Sequence, residues 1–214
     1  MTNRYNNYSD FLKNKYGVKV YKLPISIPVT CPNRDGTCGF DGCSFCGDIG
    51  AGYQHVPDTV GIKEQIAMHK GHIMDKYKAK KFIAYLQNYS NTYLPLATLE
   101  KYLLEACDED VVRIALATRP DCVSDSYLEK LADIKSKTKV DISVELGLQT
   151  VNYHALEEIR RGHSLAEYLD AMQRINKYGL ESCTHVILNL PGSDRLDVIE
   201  TAKVLSAMKT TEAK

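Results

Sequence analysis

The 214-residue chain sets 27 lysines and arginines against 27 aspartates and glutamates and is 44% apolar, the make-up of one ordinary globular domain. It has no long apolar run, so no membrane span is indicated. The polar, aromatic start MTNRYNNYSDFLKNKYG lacks the apolar stretch of a secretory signal, and a cytoplasmic location is expected. Seven cysteines in such a chain argue against a disulfide framework.

Charge is unevenly placed. Residues 1–22 carry Arg4, Lys13, Lys15, Lys19 and Lys22 against Asp10, and residues 63–81 carry Lys63, Lys70, Lys76, Lys78, Lys80 and Lys81 against Glu64 and Asp75. Solvated helix faces explain this as readily as a surface that meets RNA. Residues 1–22 are taken as a basic N-terminal extension and residues 23–214 as the core.

In chain order, LPISIPV (23–29) reads as a first strand, and Ile62, Ile66, Met68, Ile73 and Tyr77 give 61–80 a helical spacing. FIAYLQ (82–87) is a second strand, followed by a helix over 96–107. VVRIALAT (111–118) is a third strand, and a helix over 124–137 has Ser124 as its expected N-cap. VDISVELGLQ (140–149) is a fourth strand; helical pattern over 153–178 is interrupted near Gly162 and stopped by Gly179. CTHVILNLP (183–191) is a fifth strand and 194–208 a fifth helix. Repeated βα units call for a parallel α/β sheet, either open and doubly wound or a partial TIM-like barrel. In both, chemistry gathers at the carboxyl ends of the strands.

Four of the cysteines lie in TCPNRDGTCGFDGCSFCGDIGAG, directly after the first strand. Thiolates suit iron–sulfur clusters, zinc or Cu(I). Zinc ribbons draw on two separate C-x₂-C pairs, whereas only Cys43 and Cys46 form such a pair here. Three cysteines on one loop suit a cubane with one iron free. Gly36, Gly39, Gly42, Gly47, Gly50 and Gly52 would let the backbone wrap closely and offer N–H groups to the sulfides. Phe45 would shield the cluster.

These residues resemble the radical S-adenosylmethionine (SAM) superfamily and, within it, the YtqA/YhcC-like group related to the Elongator catalytic subunit. The motifs are Cys31-Pro32-Asn33-Arg34-Asp35-Gly36, Cys43 and Cys46, Gln87…Ser90-Asn91-Thr92, Ala117-Thr118-Arg119-Pro120-Asp121-Cys122, Val144 through Thr150, Cys183-Thr184-His185 and Leu190-Pro191. The resemblance implies a partial TIM-like (β/α) barrel of about five βα units, with the sixth strand missing and the chain incomplete at its C-terminus. It implies a [4Fe–4S] cluster on Cys31, Cys43 and Cys46, and SAM on the remaining iron. Gln87, Asn91 and Thr92 would face the methionine end of SAM, Glu145 and Gln149 the ribose, Arg161 the carboxylate, and His185 and Pro191 the adenosine. Reductive cleavage of SAM to a 5′-deoxyadenosyl radical follows, with tRNA wobble uridine as substrate and a flavodoxin or ferredoxin as electron donor. A zinc-stabilised nucleic-acid-binding module, or a cluster protein acting on a non-RNA substrate, are the alternatives. Cys38 has no place in the three-cysteine motif, and Asn189 replaces a glycine.

Overall fold

The computed structural model describes residues 5–47 and 56–214. Gly50 and Gly52 lie outside the described residues. The elements run α1 (Tyr8–Tyr16), β1 (Val20–Ile25), α2 (Ile62–Tyr77), β2 (Lys81–Leu86), α3 (Leu96–Ala106), β3 (Val111–Thr118), α4 (Asp125–Thr138), β4 (Asp141–Gln149), α5 (Tyr153–Glu158), α6 (Leu165–Lys177), β5 (Glu181–Val186), α7 (Arg195–Ala207) and β6 (Glu212–Ala213). The strands form one sheet in the order β1-β2-β3-β4-β5-β6, every pair parallel.

Alternation along the strands sorts the side chains. Leu23, Phe82, Ala84, Leu86, Ile114, Leu116, Ile142, Val144 and Leu146 share a core with Ile62, Ile66, Leu99, Leu103, Leu128, Leu131, Tyr168 and Met172 of the helices. The opposite face carries Lys22, Tyr85, Arg113, Glu145, Cys183 and His185, whose side chains meet one another. Lys22 Nζ lies 2.8 Å from Glu145 Oε1, although β1 and β4 have two strands between them. Lys214 Nζ, just past β6, lies 2.7 Å from the hydroxyl of Tyr85 on β2. Strand spacings of about 4.8 Å would put these pairs roughly 14 and 19 Å apart on a flat sheet. The sheet is therefore curled into a partial barrel with a polar inner face.

Helix α1, unforeseen in a segment read only as a basic extension, sits at the N-terminal end of the strands. Asn7 caps it through Ser9 N (2.8 Å) and Gly17 ends it at φ 73°. Leu12 packs with Val20, Ile83, Tyr85 and Ala115 on the inner face. Tyr16 donates to Asp141 (2.8 Å), and Lys15 pairs with Asp141 (2.8 Å) and Glu181. Arg113, almost wholly buried, holds Glu181 and Glu212 beside them.

Three differences from the sequence reading have local causes. Strand β1 starts at Val20 and stops at Ile25, because Gln65 captures both backbone groups of Ser26 (2.8 Å each) and takes them out of the ladder. Strand β5 ends at Val186, and positive φ at Asn189 (59°) and Gly192 (70°) turns the chain that follows. A sixth strand, expected to be missing, is present over two residues and pairs Cys183 with Glu212 and Thr184 with Ala213. Ser124 does precede α4, but its hydroxyl meets Ser126 Oγ (2.8 Å) and caps no backbone N–H. Among the described residues no helix is long and apolar enough to cross a membrane.

Candidate active site

At the carboxyl ends of the strands lies a cavity of about 320 Å³. Cys31, Cys43 and Cys46 line it on one side; Gln87, Glu145, Gln149, Arg161 and His185 reach it from β2, β4, the α5–α6 connection and β5. All three thiols are free.

The loop after β1 is folded by its own backbone. Arg34 N bonds Cys31 O (2.8 Å), Cys46 N bonds Cys43 O (2.9 Å), and Gly42 N bonds Asn33 O (2.8 Å). The N–H groups of Gly36 and Gly39 go to Gly39 O and Pro32 O. The amides of Gly36, Gly39 and Gly42, three of those expected to face a cluster, are thus spent inside the loop. Side chains serve the sulfurs instead: Asn33 Nδ2 and Arg161 Nη1 lie 3.3 and 3.5 Å from Cys43 Sγ, and Ser90 Oγ lies 3.6 Å from Cys31 Sγ. Arg34 ties down the end of the loop through Cys46 O (3.1 Å) and Gly47 O (2.7 Å). Phe45 lines the cavity while remaining partly exposed. Cys38 is exposed and does not line the cavity; its sulfur faces Arg119 Nη2 at 3.9 Å.

The connection between α5 and α6 clamps this loop. Asn33 Nδ2 also bonds Arg160 O (2.8 Å) and Arg161 O (3.1 Å), and Arg119 bonds Arg161 O (3.0 Å) and Gly162 O (3.2 Å) while pairing with Asp121. Gly162, at φ 71°, is where a Cβ would stand 2.5 Å from Asn33 Oδ1. His163, buried, places Nε2 3.0 Å from Gly147 O. Burial and the charge of Arg161 push its pKa down to about 4.

Lower on the inner face, Glu145 is buried. Burial alone would raise its pKa, but the hydrogen bond from His185 Nε2 (2.6 Å) and the Lys22 ammonium outweigh that and hold it down to about 2. Cys183 lies beside it, its thiol pushed up to about 12 by burial and by the Glu145 charge. Glu145, Cys183 and His185 offer ligand atoms within 4.8 Å of one another. With Lys22 at 2.8 Å and Lys214 at 3.9 Å from the carboxylate, cations already occupy the positions a metal would take.

Of the residues assigned to SAM from the sequence, Gln87, Glu145, Gln149, Arg161 and His185 share the cavity wall. Asn91 and Thr92 stand behind it. Asn91 Nδ2 bonds Leu86 O, Asn88 O and Ala117 O, and Thr92 Oγ1 bonds Thr118 Oγ1 (2.6 Å) and Cys122 O (2.8 Å). Pro191 is exposed in the turn after β5. Gln149 holds φ 76° at a register shift between β4 and β5, strain of the kind found at binding sites. Lys22, Tyr85 and Lys214, which complete the polar inner face, had no role in the sequence reading. The signal available was the alternation that points Lys22 away from the apolar core.

A curled parallel α/β sheet, with a three-cysteine loop after its first strand and polar residues on later strand ends, defines a class of cofactor enzyme folds. Residues 26–205 match the model of the radical SAM superfamily, and the chain belongs to that superfamily. It is 37% identical over 204 residues to the uncharacterized protein YtqA of Bacillus subtilis, covering 95% of this chain and 63% of that one. It is 34% identical over 197 residues to YhcC of Escherichia coli, covering 92% and 62%. The chain thus spans less than two thirds of these relatives. A shorter likeness, 29% over 90 residues, covers 42% of this chain and 16% of the tRNA uridine(34) acetyltransferase of Methanocaldococcus jannaschii. In fold, it superposes on the Elp3 of Methanocaldococcus infernus with a TM-score of 0.58 at 18% identity, covering 87% of this chain and 42% of that one.

The superfamily's cofactors are a [4Fe–4S] cluster and SAM. The donor chemistry here fits: three free thiols on one cavity, two of them with hydrogen-bond donors aimed at sulfur. A single tetrahedral zinc, with Zn–S near 2.3 Å, needs its sulfurs within roughly 3.8 Å of one another. Among the described residues, Glu145, Cys183 and His185 bring their ligand atoms within 4.8 Å of one another, and the three loop cysteines form no such group. Their sulfurs are therefore not gathered as one tetrahedral ion would require.

Proposed function

We propose that this chain is the core of a radical SAM enzyme, with Cys31, Cys43 and Cys46 binding three irons of the cluster and Gln87, Glu145, Gln149 and His185 lining the space for SAM. The observation that carries this reading is the convergence of the three thiols and these polar side chains on one cavity. When bound and reduced, the cluster supplies the electron that cleaves SAM to methionine and a 5′-deoxyadenosyl radical. The chain's own part is to hold the reacting groups together and limit water. The Asn33–Arg160–Arg119 clamp fixes the cysteine loop, and Glu145, kept ionised, presents an acceptor inside the curled sheet.

Uridine 34 of tRNA is the proposed substrate, supported by the partial likeness to the acetyltransferase. The basic stretch adds little to it. Lys70 and Lys81 pair with Asp108 and Asp110, and Lys76, Lys78 and Lys80 lie where α2 hands over to β2, at the sheet end opposite the cavity. That placement favours a second reading, a non-RNA substrate small enough to enter the cavity. A cytoplasmic flavodoxin or ferredoxin is the proposed electron donor.

The test is anaerobic reconstitution with iron, sulfide and zinc counted per chain, followed by electron paramagnetic resonance of the reduced protein with and without SAM. About four irons, a spectrum altered by SAM, and loss of both in Cys43→Ala but not Cys38→Ala support the proposal. Stoichiometric zinc with no response to SAM overturns it. Formation of 5′-deoxyadenosine on adding bulk tRNA, compared with a small-metabolite fraction, then separates the substrate readings.

A further inference from the structure

Two buried donors point at one sulfur. Asn33 Nδ2 lies 3.3 Å and Arg161 Nη1 3.5 Å from Cys43 Sγ, and the residues are 3% and 6% exposed. Neither is free to swing away. Asn33 is pinned by Arg160 O and Arg161 O, and Arg161 by Gly147 O, to which Nε (3.2 Å) and Nη2 (2.7 Å) both donate. The two clamps interlock, because Asn33 accepts its place from the backbone of the residue whose side chain shares its target. Three of the five N–H donors of Arg161 are thus engaged, two on Gly147 O and one on Cys43 Sγ, which fixes the guanidinium against the cysteine loop.

Hydrogen bonds to a ligating sulfur withdraw charge from it and favour the reduced cluster, and a cationic donor does so more strongly. Buried, fixed donors act without reorganising when the electron arrives.

We propose that Asn33 and Arg161 are positioning residues that raise the reduction potential of a cluster bound at Cys43. The proposal rests on the radical SAM reading above.

The test compares wild type, Asn33→Ser, Arg161→Lys and Arg161→Gln, each reconstituted anaerobically, by redox titration followed with electron paramagnetic resonance in the absence of SAM. Each variant should keep its iron and sulfide and shift to a more negative midpoint potential, Arg161→Gln further than Arg161→Lys because lysine retains the charge. Midpoints unmoved with a full cluster overturn the proposal. Should the variants fail to hold iron, the wild-type protein carrying ¹⁵N-labelled asparagine and arginine decides. Nitrogen hyperfine coupling from both labels to the reduced, SAM-free cluster supports the assignment, and its absence overturns it. A wild-type chain that binds no cluster overturns this proposal and the radical SAM reading together, whereas a normal cluster with unmoved potentials overturns this one alone.

Discussion

Lys22 on β1 and Glu145 on β4 meet at 2.8 Å across an inner face that two intervening strands would hold open were the sheet flat. The pair therefore reports on curvature as well as charge. Glu145 has 1% of its side chain exposed, and Lys22 24%.

Removing one partner strands the other. Lys22→Met leaves the buried carboxylate to His185 at 2.6 Å and Lys214 at 3.9 Å and should cost about 3 kcal/mol. Lys22→Met with Glu145→Met should recover much of that loss, because the buried carboxylate is removed with its partner. Urea unfolding of the two single variants and the double variant measures the coupling. Additive losses would mean that the pair contributes nothing as a pair.

Glu145 also sets an acid limit. Its carboxyl is held down to about 2, against the usual 4.5 of a glutamate. A group with a depressed folded pKa stabilises above its unfolded value and loses that contribution as the pH falls toward the folded one. Roughly 3 kcal/mol should therefore disappear between about pH 4.5 and pH 2. In Glu145→Gln this part of the stability–pH curve should flatten, as equilibrium unfolding at stepped pH would show.

His163 acts at milder pH. Its pKa is lowered from 6.5 to about 4, first by burial and then by Arg161. Between those values the unfolded chain binds a proton that the native chain refuses, so stability rises with pH across that window and falls on acidification. A loss of about 3 kcal/mol from pH 6.5 to pH 4 is expected. His163→Gln should remove this slope while leaving the Glu145 slope in place, and the two variants together separate the transitions.

Helix α1 should matter to stability out of proportion to its polar sequence. Leu12 is its one buried residue and packs among Val20, Ile83, Tyr85 and Ala115. Leu12→Ala should cost about 2–4 kcal/mol, the range for a leucine truncated in a close-packed site. Lys13→Ala, on the exposed side of the same helix, should change stability by less than about 0.5 kcal/mol. Equal effects would mean that α1 does not pack on the sheet in solution.

How much of this was legible in the sequence differs by element. Strand β3 was read to the residue, since Val111–Thr118 is an apolar run interrupted internally only by Arg113 and bounded by polar turns. The break between α5 and α6 was legible from Gly162, and the capping box of Ser164 and Glu167 explains why the helix restarts where it does. The cysteine loop and the strand-end residues were legible as motifs. Part of what went unread depends on curvature. Lys22, Tyr85 and Lys214 become neighbours of Glu145 only because the sheet curls, and pattern within a strand carries no record of that. Helix α1 was missed because a short, charged segment with one buried leucine gives little periodic signal. Asn33 stood in the motif without a role, since its partners lie about 127 residues away in sequence, on the α5–α6 connection.

The clamp on the cysteine loop can be tested without touching a cysteine. Gly162 and Gly179 both sit at positive φ, 71° and 64°, but an added Cβ meets Asn33 Oδ1 at 2.5 Å in the first case and nothing within 4 Å in the second. The backbone penalty for alanine in the left-handed region, about 1–2 kcal/mol, is common to both. Only Gly162→Ala adds a steric clash, and Asn33 cannot retreat without releasing Arg160 O, Arg161 O and the Cys43 sulfur. Gly162→Ala should therefore lower stability by about 1 kcal/mol or more beyond Gly179→Ala, and it alone should lower the iron retained after reconstitution. Urea midpoints and iron counts on the two variants provide the comparison. Equal losses in both would show that the α5–α6 connection tolerates displacement and does not hold the cysteine loop.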